Sequence, residues 1–97
     1  MRFESPTTTK AAATLLASES GVAHVLAGGT DLLVRMKMGS IEPDLVVDIK
    51  RIESLRTLKV AAAGVQIGAV VPAVRLGESD KLRSLWPGVV EAANLIG

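Results

Sequence analysis

The chain has 97 residues, 48% of them apolar, with a formal net charge of +1 from 11 basic and 10 acidic side chains. That is the length of one small globular domain; its even charge, without a basic block or aromatics interleaved with basic residues, gives nucleic-acid binding no support. The absence of cysteine excludes disulfides, iron–sulfur ligation, thiol catalysis and a cysteine zinc site on this chain.

Phe3 falls on a short opening strand ended by Pro6. Thr7, Thr8 and Thr9 offer N-cap hydroxyls to a helix carrying Ala12, Leu15, Leu16 and Glu19. Ala11 stands where a capping box would place Glu or Gln, and Gly21 is positioned as the C-terminal stop. Val22 to Leu26 is an apolar run of strand length. Ala27-Gly28-Gly29-Thr30-Asp31 follows, and then a helical pattern with Leu32, Leu33 and Met36 that Gly39 closes. Arg35 and Lys37 sit in its last turn, where cations suit the helix dipole. Beyond Pro43, Asp44 to Ile49 has the near-continuous apolar centre of a parallel strand. Two strands flanking a crossover helix make a βαβ unit, for which right-handed connection is expected.

The pattern then changes. Leu58 to Ala62 and Val65 to Ala69 form a hairpin candidate around Ala63-Gly64. Pro72 opens a mixed stretch through Leu76, Ser79-Asp80 caps a helix that runs to Trp86, and Pro87 ends or kinks it. Val89, Ala92, Ala93 and Ile96 recur at helical spacing. A hairpin with no third strand is marginal, so the chain reads as the front part of a longer protein. With one Trp, one Phe and no Tyr, its core buries little area per residue, and at roughly 25 cal/mol per Å² its stability margin is thin. No h-region opens the sequence and no stretch of about 18 uncharged apolar residues is present, so neither a signal peptide nor a membrane span is expected, and the cytoplasm is the default compartment.

Two adjacent glycines between a strand and a helix admit two readings. Backbone N–H groups of residues 28 to 32, facing the positive end of the helix, can cradle a phosphate. The same pair can be a sterically required turn. Neither GxGxxG nor GxxxxGK[ST] is present, so the corner is neither a Rossmann fingerprint nor a Walker A loop. His24, the single histidine, lies in an apolar run without a second ligand at metal spacing, which favours a structural role. Glu42, Asp44, Asp48 and Glu53 do not pair for acid–base work, and capping or solvated roles suit them better. Ser18, Ser20 and Ser40 have no base beside them. Trp86, near Leu82 and Leu85, fits a core or subunit contact better than a flavin stack, and Ile67-Gly68-Ala69 reads as a turn or bulge.

Taken in order, several stretches resemble one family. Phe3 with Pro6, the alanine-rich helix, Val25-Leu26-Ala27-Gly28-Gly29-Thr30-Asp31-Leu32-Leu33, Met36-Lys37, Gly39 and Pro43 are similar to the FAD-binding medium subunit of molybdenum hydroxylases, the xanthine dehydrogenase and aerobic carbon monoxide dehydrogenase group. Leu45-Val46-Val47-Asp48-Ile49, Ile67-Gly68-Ala69, Pro87, Glu91-Ala92-Ala93 and Ile96-Gly97 continue the likeness, which covers nearly the whole chain. It implies an α+β, vanillyl-alcohol-oxidase-type (PCMH-type) FAD-binding fold, with an N-terminal βαβ subdomain over residues 1–56 and the beginning of a second subdomain over 57–97. It implies FAD bound through its pyrophosphate by the backbone of Ala27, Gly28, Gly29, Thr30 and Asp31, with Leu26, Leu32 and Leu33 on the flanks. A second loop of the Thr-Ile-Gly-Gly kind is expected after the last helix, beyond Gly97. Lys10 and Ala11 replace acids common in the family, and Pro72 stands where a hydroxyl residue is usual.

The resemblance further implies an oxidoreductase complex. A large partner subunit holds the molybdenum cofactor, a small one holds 2Fe–2S clusters, and electrons pass through FAD to NAD or another acceptor. On that reading this chain carries no catalytic side chain and no metal ligand. The alternatives are a fragment that binds no flavin and serves only as a subunit-interaction scaffold, or a small phosphate-ligand module using the Gly-Gly corner alone.

Overall fold

The computed structural model describes residues 1–28 and 30–96, and the side chains of all of these except Thr30, Asp31 and Ile96. The chain divides into two compact units, Met1–Leu55 and Arg56–Gly97.

The first unit runs β1 (Arg2–Glu4), α1 (Thr9–Ser18), β2 (Ala23–Leu26), α2 (Thr30–Lys37) and β3 (Leu45–Asp48). The three strands form a parallel sheet in the order β1-β3-β2. The opening strand thus joins the far side of β3, with Arg2 opposite Leu45 and Glu4 opposite Val47. The last strand in sequence becomes the central one, which explains its apolar run: Leu45, Val46 and Val47 are each no more than 2% exposed. Alternation along the strand sends Leu45 and Val47 to one face, where they pack with Ala12 of α1 and with Ile52. Leu15, Leu16, Ala23, Ile49 and Leu55 close this cluster at its margin. Burying a Leu, Val or Ile there contributes about 1.5–3 kcal/mol each.

α1 starts as its sequence specifies, with Thr8 Oγ1 accepting from the Ala11 N–H at 3.1 Å. Its end differs from expectation. The C-cap is Glu19 in extended conformation, and Gly21 does not have a positive φ. Gly21 is needed for space instead: a Cβ there would lie 2.7 Å from Asp44 Cγ, whose carboxylate accepts from the Val22 N–H at 2.8 Å. Glu19 caps the same bend through the Gly21 N–H at 3.0 Å. β2 therefore begins one residue later than the apolar run suggests, because Val22 spends its carbonyl on Asp44 and Leu45.

Gly39 closes α2 as expected. Its φ of 75° is left-handed, its N–H donates to Met36 O at 3.1 Å, and the Ser40 N–H donates to Arg35 O at 3.0 Å, which is a Schellman motif.

The second unit opens beside a 3₁₀ turn at Glu53–Arg56 and continues as β4 (Leu58–Ala61), β5 (Gly64–Ile67), α3 (Ala73–Glu78), α4 (Asp80–Leu85) and α5 (Pro87–Ile96). β4 and β5 are antiparallel, and the pair Ala61–Gly64 closes a two-residue Ala62-Ala63 loop. Gly64 is therefore in the strand rather than the turn. Neither alanine has positive φ, so the loop is not of the primed type usual for so short a hairpin. The mixed stretch after Pro72 is a helix, α3, with Pro72 at its N-cap. Ser79 Oγ caps α4 through the Leu82 N–H at 3.2 Å, and Pro87 opens α5. Leu82, Val90 and Ala93 are buried, whereas Ala92, placed by spacing on the same face as Ala93, is exposed. Trp86 donates its indole N–H to Ala61 O at 3.2 Å, which ties α4 to the hairpin.

Candidate functional site

The corner between β2 and α2 is built by the strand pairing beneath it. β2 and β3 run parallel through the pair Leu26–Asp48, and the Ile49 N–H donates to Leu26 O at 3.0 Å. The chain leaves β2 at its carboxyl end and enters α2 within a few residues. The first N–H groups of that helix have no intrahelical acceptors, and they carry its positive end. In open α/β sheets this is the edge at which ligands sit.

Of the residues singled out from the sequence, Leu26 is buried at the end of β2 and belongs to the core. Ala27 is half-buried and Gly28 exposed. The backbones of Thr30 and Asp31 lie in the first turn of α2, while their side chains, and all of Gly29, are outside the described residues. Leu32 is half-buried and Leu33 is 53% exposed.

Gly28 bears on the two readings of the corner. Its φ is not left-handed, and among the described residues a Cβ built on it meets nothing within 4 Å. The described residues thus set no steric requirement for glycine at this position, in contrast to Gly21 and Gly39. A ligand approaching from that open space reaches bare backbone, which suits a diphosphate.

The neighbouring strand end carries the residue that sequence reasoning left among scattered carboxylates. Asp48 is 9% exposed, and its Oδ1 accepts from the Lys50 N–H at 2.9 Å and from the Lys50 ammonium at 3.0 Å. Burial pushes its pKa up, but the two Lys50 contacts and the charges of Lys50 and Arg51 outweigh this and hold it below the ordinary value. The signal in the sequence was the Asp-x-Lys spacing at a strand end, a local side-chain-to-backbone turn.

Other candidates are structural. Asp44 and Glu19 cap backbone, and His24 is half-buried opposite Val46 in the sheet. The Gly68 N–H donates to Thr57 O at 2.8 Å and so closes the hairpin. Among the described residues no group of three or more His, Cys, Asp or Glu could hold a metal, and no helix is long and apolar enough to cross a membrane.

Residues 1–97 match the family described as the FAD binding domain in molybdopterin dehydrogenase. The chain is 36% identical over 97 residues to the carbon monoxide dehydrogenase medium chain of Hydrogenophaga pseudoflava, covering 98% of this chain and 34% of that protein. It is 30% identical over 73 residues to the nicotinate dehydrogenase FAD-subunit of Eubacterium barkeri, covering 75% of this chain and 25% of that one. Among solved structures, carbon monoxide dehydrogenase from Hydrogenophaga pseudoflava superposes with a TM-score of 0.91 at 33% identity, covering 98% of this chain and 33% of that chain. Reconstituted CO dehydrogenase from Oligotropha carboxidovorans gives 0.89 at 30% identity, with the same coverage. The chain therefore covers between a quarter and a third of the length of these relatives. The α+β, vanillyl-alcohol-oxidase-type fold expected from the sequence is the fold it has.

Proposed function

Because the chain belongs to the FAD-binding domain family of molybdopterin dehydrogenases, we propose that it is the pyrophosphate-holding part of a flavin subunit in a molybdenum-containing dehydrogenase. The observation that carries this reading is Gly28: a glycine that no described residue requires, at the carboxyl edge of a parallel sheet and before a helix N-terminus. The backbone of residues 27 to 31 would hold the pyrophosphate, and Leu26, Leu32 and Leu33 would flank it. Leu26 anchors the end of β2 in the core. α2 aims its N-terminal donors at the same space, and its Schellman-closed far end keeps its cations, Arg35 and Lys37, at the opposite pole.

FAD, when bound, supplies the redox chemistry through which electrons from iron–sulfur clusters on a partner subunit reach NAD or another acceptor. This chain's task is binding and orientation, and no acid, base or nucleophile is assigned to it. Its partners would be a molybdenum-binding large subunit and an iron–sulfur small subunit, in the cytoplasm.

The test is flavin content. The full-length protein, purified with its partner subunits, is expected to show flavin absorbance and to release FAD on denaturation. A colourless, FAD-free complex would refute the reading and leave the chain as a subunit-interaction scaffold.

A further inference from the structure

We draw no further inference here: the strongest candidate, the groove between α3 and α5 lined by Ala73, Val74, Ala93 and Asn94, with Val74 exposed at its edge, carries nothing because nothing in the structure shows what covers it.

Discussion

Replacing Gly28 with alanine adds one methyl group that meets nothing within 4 Å among the described residues, at a φ outside the left-handed region. The consequences for folding and for binding then have opposite signs. Folding loses no contact, and the unfolded chain loses some freedom, so stability should stay level or rise by about 0.4–1 kcal/mol. Binding should weaken, because the methyl occupies the space through which a phosphate oxygen would approach the peptide N–H. Losing one hydrogen bond to a charged group costs about 1.5–3 kcal/mol, which at 1.4 kcal/mol per decade is a rise in Kd of roughly ten- to more than a hundredfold. Gly28→Val should carry the loss of flavin further with the fold still intact. The assay pairs FAD titration by fluorescence with denaturant unfolding of the same preparations. Unchanged FAD affinity in a folded Gly28→Ala protein would refute the assigned role of the corner. A clear drop in stability would refute the claim that the fold leaves this position free.

Two further outcomes test the first unit's local architecture. Asp48 has its pKa lowered in the fold, so it binds fewer protons folded than unfolded; its stabilisation is present above the unfolded value of about 3.9 and is lost as pH falls through the lower folded value. Asp48→Asn should therefore flatten the acid side of a stability–pH profile from urea unfolding, and an unchanged acid side would contradict the Lys50 contacts. Gly21→Ala should destabilise by about 1–3 kcal/mol through overlap with the Asp44 carboxylate, whereas adding it to Asp44→Ala should cost much less; additive losses in this double-mutant cycle would show that the overlap is not the cause.

Much of this structure was written locally. The Thr8 cap, the Gly39 stop, the apolar run of β3 and the Ser79 cap each follow from side chains within a few residues of one another. The ordered pattern around Ala27-Gly28-Gly29-Thr30-Asp31 was enough to point to the family, because that likeness depends on residue identity and order rather than on packing. Local signals gave out where distant groups decide. Gly21 reads as a helix stop, but its reason is the Asp44 carboxylate arriving from 23 positions along the chain. α3 escaped notice because Ala73–Glu78 is six residues long and none of them is buried, which leaves too little periodicity to register.

The site shows the same division. The sequence by itself determined that a glycine corner follows a buried strand and precedes a helix, since strand, turn and helix are contiguous. It could not choose between a strained turn and a cradle, because that choice depends on what surrounds Gly28 in space. Only the tertiary structure decided that β3, not β1, lies beside β2 and that no described residue crowds a Cβ at Gly28. The pairing of Leu26 with Asp48 fixes how the two strand ends meet, and register between strands separated by a helix is set by side chains meeting across the sheet, not by neighbours along the chain.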